Sequence, residues 1–450
     1  MSETIAAIAS GAVKSAIGII RISGDRVQEM IPKVFRPKYG KLKPRHMTFG
    51  AFYDADGIRV DEGLCVLMPA PGSYTGEDTA ELYCHGSLGV LQCILDAVYR
   101  AGARPARPGE FTRRAFLSGR MDLTQAEAVI DLIDSESREA ARTAAAQLDG
   151  AIGTKIKAVR ESLVALTAHL CAVVDYPEDD IPELLMEDAL ETVKEGRSGV
   201  KALLGTYERG SLIKNGIPCA IVGKPNVGKS SLLNALAGFD RSIVTEIAGT
   251  TRDMVEETIS IGGMMFRLQD TAGLRDTTDV VERIGVERAC DYAKQAQLVL
   301  AVFDGSRPLD DHDAMTMQIT SGRNAICIVN QSDKPQCVDL TALQKQYETV
   351  ITLSAKNGEG LDTLTDCVAK RFASGVDYNA GIVTNPRHAD ALRRSAESLD
   401  AVCDGIAYGM TADVITVDLE AAIDALGELT GQTASEDVMN GIFSRFCVGK

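Results

Sequence analysis

The sequence contains no tryptophan, and aromatic residues make up only 5% of its 450 positions. No apolar run approaches the 18 residues that a membrane-spanning helix needs, and the first residues lack a sustained apolar core, so neither membrane insertion nor export is expected. The 11 cysteines include no C-x-x-C pair, and the five histidines show no metal-ligand spacing. Free thiols in a reducing cytoplasm are the simplest interpretation.

Positive charge is also in deficit. The chain has 47 lysines and arginines against 63 acids, a formal net charge of -16, which disfavours general adhesion to nucleic acid or to anionic membranes. A nucleic acid partner must therefore meet a local basic patch. Residues 100–120 hold six arginines and a single acid, Glu110, and this segment is either an anion site or a solvated arginine-rich loop and helix start. Its arginines are Arg100, Arg104, Arg107, Arg113, Arg114 and Arg120.

The first 210 residues show two sequence patterns. Residues 1–118 alternate short apolar strands such as "AIGIIRIS" with turns and with one amphipathic helix that ends at Gly102, which predicts a small α/β domain. Residues 119–210 carry helical periodicity, beginning at a predicted capping box of Thr124 with Glu127 and continuing through "AEAVIDLIDSESREAARTAAAQL". This second pattern predicts helices long enough to form a bundle.

Two further segments complete the chain. Residues 211–376 alternate strands such as "CAIVG" and "AICIVN" with helical segments, which predicts a parallel, doubly wound sheet. Helical periodicity returns in residues 377–450. We therefore predict a multidomain α/β and all-α protein, in which an α/β domain is inserted between the two halves of a helical domain.

The stretch "GKPNVGKSS" predicts a nucleotide site. It follows the strand "CAIV" and begins the helix "SLLNALAG", which is the context that a phosphate-binding loop requires. Its backbone N–H groups and the helix N-terminus favour phosphate oxygens. We expect Lys229 to contact the outer phosphates and Ser230 to bind Mg2+. By itself the motif identifies only a nucleotide phosphate.

Four later motifs favour GTP. "DTAG" supplies an aspartate for the magnesium shell, "TEIAGTT" supplies the switch-type threonines Thr250 and Thr251, and "NQSD" and "SAK" follow two further strands. Asp333 can accept from the guanine ring N–H and amino group, and Gln331 stands where a lysine is usual. The predicted GTP-binding residues are Asn226, Val227, Gly228, Lys229, Ser230, Ser231, Thr245, Glu246, Ile247, Ala248, Gly249, Thr250, Thr251, Asp270, Thr271, Ala272, Gly273, Asn330, Asp333, Ser354, Ala355 and Lys356.

The group that orients the attacking water is not the usual glutamine, because Leu274 occupies that position. Asn226 and the "TEIAGTT" segment can together offer oxygens to a monovalent cation, which would neutralise developing charge in place of an arginine finger. Glu282 is the best candidate for a water-organising carboxylate, and the alternative is a solvated glutamate at a helix start.

These motifs, together with "SYTGEDTAELYCHGS", "RPGEFTRRAFLSGRMDLTQAEAVIDLI" and the closing "FCVGK", resemble the MnmE (TrmE) family of tRNA-modification GTPases over the whole chain. The resemblance implies an N-terminal tetrahydrofolate-binding domain that forms a homodimer, and a GTPase domain inserted in a helical domain. It implies Mg2+ ligands at Ser230 and Thr251, K+ ligands at Asn226, Thr245, Ile247 and Thr250, and a water-orienting Glu282.

The resemblance also implies a reaction and partners. With a flavoprotein partner, MnmG (GidA), in a heterotetramer, such proteins add an aminomethyl or carboxymethylaminomethyl group to C5 of uridine 34 in certain tRNAs. The carbon comes from 5,10-methylene- or 5-formyl-tetrahydrofolate, and potassium-dependent pairing of GTPase domains activates hydrolysis. The implied folate-binding residues are Arg21, Glu81, Arg120 and Lys450, with Cys447 of the C-terminal arm as a catalytic thiol.

Two other functions are compatible with the GTPase motifs alone. A ribosome-assembly or RNA-chaperone GTPase would use GTP as a timer, but it would not need the "FCVGK" arm or the folate segments. A mechanical GTPase at membranes would need an amphipathic or basic lipid-facing segment, and the sequence offers none. A Cys447 that merely packs is the alternative to a reactive thiol.

Overall fold

A computed structural model of the chain describes residues 3–11, 13–175, 185–239, 257–268, 291–372 and 377–450. The chain separates into two compact units, each built from discontinuous segments. The first comprises Met1–Ile130, Gln147–Val200 and Ala391–Lys450, and the second comprises Asp131–Ala146 and Lys201–Asp390.

In the described part of the first unit, seven strands form one sheet in the order β3-β4-β5-β6-β2-β1-β7. Neighbouring strands are antiparallel except for β1 and β7, which are parallel. The run "AIGIIRIS", which the sequence predicts as a strand, lies in β2. The strands are β1 Ile5–Ile8, β2 Ser15–Ser23, β3 Phe35–Pro37, β4 Thr48–Tyr53, β5 Arg59–Met68, β6 Thr79–Gly86 and β7 Arg104–Pro105.

Three helices accompany this sheet: α1 Val27–Val34, α2 Leu88–Ala101 and α3 Glu110–Leu117. Helices α1 and α2 share one hydrophobic core with the buried face of the sheet. Helix α2 ends where the sequence predicts, because Gly102 adopts a φ of 121° and its N–H bonds back to the last turn.

The helical part of the chain contains long helices that have one apolar face and one polar face. Helices α6 and α14 pack along each other in the first unit. No described helix is long and apolar enough to cross a bilayer. The helices are α4 Leu123–Ile133, α5 Arg138–Leu148, α6 Ala151–Asp175, α7 Met186–Leu204, α13 Pro386–Ala407, α14 Ala412–Thr430 and α15 Glu436–Phe443.

The predicted capping box of Thr124 with Glu127 is wrong. The Asp122 carboxylate accepts from the Gln125 N–H at 3.0 Å, and the Gln125 side chain accepts from the Asp122 N–H at 2.9 Å, so the capping box begins two residues earlier. The periodicity that follows is also not one helix. It breaks between α4 and α5, where the Ser137 hydroxyl accepts the N–H of a residue in the next helix.

In the described part of the second unit, six strands form a sheet in the order β13-β12-β11-β8-β10-β9. The predicted parallel sheet is confirmed for five strands, whereas β9 runs antiparallel to β10 through a turn at Gly262 and Gly263, both with positive φ. The strands are β8 Ile217–Val222, β9 Glu257–Ile261, β10 Met264–Leu268, β11 Leu298–Asp304, β12 Ala325–Asn330 and β13 Val350–Thr352.

Helices cover both faces of this sheet. Strand β11 is buried along its whole length, and its alternate residues enter two separate hydrophobic cores. This arrangement is the doubly wound architecture that the sequence pattern predicts. The helices of the unit are α8 Tyr207–Asn215, α9 Lys229–Phe239, α10 Asp311–Thr320, α11 Leu340–Gln346, α12 Leu361–Phe372 and a 3-10 turn at Tyr378–Ala380.

Candidate functional site

The predicted phosphate loop connects β8 to α9, at the carboxyl end of a parallel strand. Two of its residues have positive φ: Asn226 at 62° and Gly228 at 94°. A Cβ on Gly228 would lie 2.3 Å from Nδ2 of Asn330, so both the backbone conformation and the close approach require glycine. The loop therefore has the compact backbone that a phosphate cradle needs.

Lys229 begins helix α9, and its ammonium group folds back over the loop. Nζ donates to the carbonyl oxygen of Gly223 at 2.7 Å and to that of Lys224 at 2.9 Å. Burial lowers the pKa of Lys229 to about 8. Ser230, the predicted Mg2+ ligand, follows in the first turn of the helix.

The side chain of Lys224 fixes the same loop from the other side. Its Nζ lies 2.7 Å from a carboxylate oxygen of Asp310 and 2.7 Å from one of Asp313. These two aspartates form the capping box of helix α10. The Lys224 side chain is only 11% exposed. Its two ion pairs hold the loop against the start of α10. No sequence motif predicts this contact.

Asn330 joins the predicted base-binding segment to the phosphate loop. Its Nδ2 donates to the carbonyl oxygen of Val227 at 2.9 Å, and its Oδ1 accepts from the N–H of Ala355 at 3.0 Å. Asn330 is buried, so neither bond competes with bulk water. Three motifs that are far apart in sequence, "GKPNVGKSS", "NQSD" and "SAK", thus meet at one edge of the sheet.

The carboxylate of Asp333, the predicted base-reading residue, is also held in place. The Ser354 hydroxyl donates to Oδ1 of Asp333 at 2.9 Å. Gln331, which replaces the usual lysine, has a φ of 66°, and its Oε1 accepts from Nζ of Lys334 at 2.7 Å. A cation therefore still lies beside this position, although it comes from three residues later. Lys356 is exposed next to this group.

The remaining predicted residues of the nucleotide site lie outside the described part of the chain. Strand β9 begins at Glu257, after the switch threonines, and β10 ends at Leu268, before "DTAG". The predicted residues concerned are Thr245, Glu246, Ile247, Ala248, Gly249, Thr250, Thr251, Asp270, Thr271, Ala272, Gly273 and Glu282.

A second polar group lies in the first unit, where Arg21 and Glu81 face each other on β2 and β6. Nε of Arg21 lies 2.9 Å from Oε1 of Glu81, and the Tyr83 hydroxyl donates to Oε2 of Glu81 at 2.6 Å. The Arg21 guanidinium lies 5.2 Å from the ring centroid of Tyr74 and 5.7 Å from that of Phe111. This arrangement combines a charge pair with aromatic rings, as a site for a flat polar ligand would.

The C-terminal arm reaches the same neighbourhood. The Phe111 N–H donates to the carbonyl oxygen of Lys450 at 3.2 Å, at the start of helix α3. Gly449 has a φ of 103°, and a Cβ there would lie 2.1 Å from the carbonyl oxygen of Ile8. Cys447 is exposed. Phe111 therefore contacts both the predicted folate residue Arg21 and the end of the chain.

Arg120 lies apart from these contacts in the structure. It is exposed just after α3, its N–H donates to the carbonyl oxygen of Ala115 at 2.9 Å, and its side chain runs beside Gly76. Among the described residues, no hydrogen bond or ion pair connects it to Arg21 or Glu81. Only the family resemblance assigns it to the predicted folate site.

Part of the arginine-rich segment 100–120 proves to be an internal ion-pair network. Arg104 and Arg114 both contact the Glu110 carboxylate, at 2.6 and 3.0 Å. Arg104 also pairs with Glu3 at 2.6 Å, and Arg114 with Glu77 at 2.8 Å. Neither an anion site nor a solvated loop describes these two arginines, because acids that are distant in sequence neutralise them.

Comparisons with known proteins cover the whole chain. Residues 4–120 match the family model described as GTP-binding protein TrmE N-terminus, and residues 123–447 match the MnmE helical domain model. A tRNA modification GTPase MnmE of Thermoanaerobacter sp. (strain X514) is 42% identical over 457 residues, which span 100% of this chain and 99% of the relative. That of Aquifex aeolicus (strain VF5) is 41% identical over 451 residues and 100% of both chains.

A solved structure, the G domain of the FeoB iron transporter of T. maritima, is 26% identical and covers 35% of this chain and 99% of its own. Its TM-score of 0.27 is too low for a fold assignment.

Proposed function

The chain belongs to the MnmE family of tRNA modification GTPases, and from that premise we propose a specific activity for it. It is a GTP hydrolase that is potassium-dependent and that works with a flavoprotein of the MnmG (GidA) type. Together they add an aminomethyl or carboxymethylaminomethyl group to C5 of wobble uridine 34 in certain tRNAs, with a tetrahydrofolate one-carbon unit. The observation that supports this proposal best is the contact between Lys450 and Phe111.

That contact matters because it favours tRNA modification over the alternative of a GTPase timer. A timer needs the nucleotide site, but it has no use for an arm whose last residue accepts from the N–H of Phe111, the residue whose ring lies 5.7 Å from the Arg21 guanidinium. The family models match on both sides of the nucleotide motifs as well as across them. We therefore assign the arm and the Arg21–Glu81 group to one-carbon chemistry.

The described residues of this site fit nucleotide phosphates and a guanine base. The phosphate loop has the backbone shape and the buried Lys229 that anionic oxygens require, and Asp333 is oriented by Ser354 to accept from a guanine. Ser230 would hold Mg2+ together with Thr251, and Asn226 would hold K+ together with Thr245, Ile247 and Thr250. These ions would neutralise charge on the transferred phosphoryl group.

The water that attacks the phosphoryl group needs an orienting partner, and we propose the Glu282 carboxylate. The usual glutamine is absent, because Leu274 stands at that position. Glu282 lies outside the described residues, so its role stays a prediction.

The residues of the second group fit a reduced folate. A pterin ring offers N–H donors and a flat surface, which the Glu81 carboxylate and the rings of Tyr74 and Phe111 can meet. Arg120 and Lys450 would meet the anionic glutamate tail, and Cys447 is the proposed reactive thiol. When bound, the folate supplies the carbon at the formaldehyde or formate oxidation level.

The proposed assembly follows from the same premise. We propose a homodimer formed through the N-terminal domain and a heterotetramer with the flavoprotein. The domain boundaries that we propose are 1–118, 119–210, 211–376 and 377–450. We expect the protein in the cytoplasm, where tRNA and GTP are available.

The first experiment measures GTP turnover in KCl and in NaCl at constant Mg2+ and at several protein concentrations. We expect a concentration-dependent stimulation by K+. Asn226→Gly is the matched variant, because glycine tolerates the positive φ of the loop and lacks the side-chain carboxamide whose oxygen is proposed to bind K+. Equal rates in both salts, or full stimulation in Asn226→Gly, would contradict cation binding by this loop.

The second experiment tests the one-carbon chemistry. The chain, its flavoprotein partner and unmodified tRNA are incubated with 13C-labelled methylene-tetrahydrofolate, and nucleosides are analysed by mass spectrometry. We expect the label in the new methylene carbon that is bonded to C5 of uridine 34, and we expect Glu81→Gln to lose this label while GTP turnover persists. Modification without label would show that another donor supplies the carbon.

A further inference from the structure

The first unit carries a basic surface that the proposed activity does not use. Residues 36–53, which form β3, β4 and the loop between them, contain five lysines and arginines, one histidine and no acid. We call this segment the basic edge, since β3 is the edge strand of its sheet. Its cations are Arg36, Lys38, Lys41, Lys43 and Arg45, and all five are exposed.

These cations keep their charge available to a partner. Within the part of the chain that the structure describes, none of the five forms an ion pair with a carboxylate, in contrast to Arg104 and Arg114. The two acids of the adjoining strand β5, Asp61 and Glu62, lie opposite Phe52 and Ala51. Asp61 pairs with His85 and Glu62 pairs with Arg59. The chain as a whole carries a net charge of -16, but this uncompensated basic segment makes the electrostatic potential positive at its own surface.

Aromatic rings lie among these charges. The Arg36 guanidinium lies 4.3 Å from the ring centroid of Tyr53, and Lys38 Nζ lies 5.4 Å from that of Phe49 and 6.0 Å from that of Tyr39. Tyr39 is 76% exposed and Phe49 is 38% exposed. Exposed rings next to unpaired cations are the combination on which nucleic acid bases stack while their phosphates are neutralised.

The backbone beneath this surface is fixed. The Lys38 N–H donates to the carbonyl oxygen of Phe49 at 3.0 Å, and the Arg45 N–H donates to that of Leu67 at 2.7 Å. Under the strands, the buried rings of Phe35 and Phe52 pack with centroids 5.1 Å apart. The exposed rings and cations therefore stand on a preorganised platform, which lowers the entropic cost of binding.

We propose that the basic edge binds RNA, at a single-stranded stretch of the tRNA substrate. Unpaired bases can stack on Tyr39 and Phe49, and Lys38, Lys41 and Lys43 can neutralise the flanking phosphates. The inference rests on the proposed function, because that function supplies a tRNA partner. A membrane fits less well, since cations lie beside both exposed rings and Met47 is the main additional exposed apolar side chain of the segment.

The test uses the full chain and an unmodified tRNA transcript, with dissociation constants measured by fluorescence anisotropy between about 50 and 200 mM KCl. For Lys38→Gln/Lys41→Gln/Lys43→Gln we expect at least roughly fivefold weaker binding at 100 mM salt and a salt slope lower by about 2, because each lost phosphate contact contributes about 0.7 to 0.9. For Tyr39→Leu/Phe49→Leu we expect about fivefold weaker binding with an unchanged slope.

The matched control is Lys155→Gln/Lys194→Gln/Lys345→Gln, which removes the same charge from exposed lysines elsewhere. An equal loss in this control would mean that only net charge matters, and it would overturn the proposal. Unchanged tRNA binding in the patch variants would also overturn it, as would a variant that loses only self-association or only binding to anionic vesicles.

GTP turnover and tRNA modification by the same preparations distinguish a failure of this inference from a failure of the proposed function. If the parent chain hydrolyses GTP and supports tRNA modification while the patch variants bind tRNA normally, the inference fails and the proposed function stands. If the parent chain supports no modification but the patch variants lose RNA binding, the proposed function fails and the surface remains an RNA site.

Discussion

The side-chain amide of Asn330 donates to the carbonyl oxygen of Val227 at 2.9 Å, so one buried residue joins the base-reading segment to the phosphate loop. The same side chain accepts from the Ala355 N–H, which ties in the third nucleotide motif. The segments predicted to recognise the base and to bind the phosphates are therefore both held by this one side chain. A change at Asn330 should affect both.

For Asn330→Ala we expect GDP affinity to fall at least about tenfold, since two buried partners lose their hydrogen bonds at about 1 to 3 kcal/mol each. Isothermal titration calorimetry measures the affinity. Asn324→Ala is the matched control, because its amide makes one exposed hydrogen bond to Gln297, just before the neighbouring strand β11. Equal effects in the two variants would contradict a special role for Asn330.

The lysine that is missing from the base-reading motif has a substitute in Lys334, whose Nζ lies 2.7 Å from Oε1 of Gln331. For Lys334→Met we expect GTP to bind about threefold more weakly with kcat unchanged, because an exposed charged hydrogen bond contributes less than about 1 kcal/mol. Adding Gln331→Lys to this variant should restore the affinity. Nucleotide titration combined with steady-state kinetics checks both expectations. If Lys334→Met binds GTP as tightly as the parent chain, the Lys334 cation does not contribute to nucleotide binding.

Glu110 makes the N-terminal domain sensitive to acid. Burial alone would raise the pKa of Glu110, but hydrogen bonds from Arg104, the Arg107 N–H and Arg114 outweigh it and lower the pKa to about 2. A carboxyl whose folded pKa lies below its unfolded value stabilises the fold above about pH 4.5, and this stabilisation is lost as the pH falls towards 2.

For Glu110→Gln we therefore expect about 2 kcal/mol lower stability at pH 7, and a difference from the parent chain that shrinks below pH 4.5. Hydrogen exchange of the amides in helix α3, followed in the full chain, measures this local stability. Glu62→Gln serves as the control, since Glu62 is half exposed in its pair with Arg59. A pH-independent difference would assign the loss to packing rather than to charge.

The sequence predicted well what is local along the chain. The phosphate loop, the end of helix α2 at Gly102 and the five parallel strands follow from short patterns and from fixed backbone requirements. It failed where the partner is distant or ambiguous. Lys224 pairs with Asp310, which lies 86 positions later in the sequence, and no motif predicts this pair.

Two errors have the same physical origin. Two overlapping S/T/D-x-x-E/Q patterns precede helix α4, and only the three-dimensional chain path selects Asp122 with Gln125 over Thr124 with Glu127. Neither interpretation of the arginine-rich segment holds for Arg104 and Arg114, because Glu3 and Glu77 approach them only in the folded domain. Tertiary neighbours, rather than local preference, decided both cases.

The proposed role of the C-terminal arm can be tested with a single substitution. For Gly449→Ala we expect the last residues to lose their contacts with Ile8 and Phe111. The φ of 103° disfavours any side chain, and the added Cβ would overlap the carbonyl oxygen of Ile8. Transfer of the labelled carbon to tRNA should then fall at least about tenfold. GTP turnover should stay within about twofold, since the nucleotide motifs are intact.

The matched control is Gly441→Ala in helix α15, where an added Cβ meets no atom within 4 Å and alanine favours the helix. Hydrogen exchange at the Phe111 amide reports directly on the arm, because this N–H donates to Lys450. Faster exchange with lost carbon transfer would tie the seated arm to the chemistry. Faster exchange with full transfer would show that the arm is only structural, and the one-carbon site would then have to function without Cys447 and Lys450.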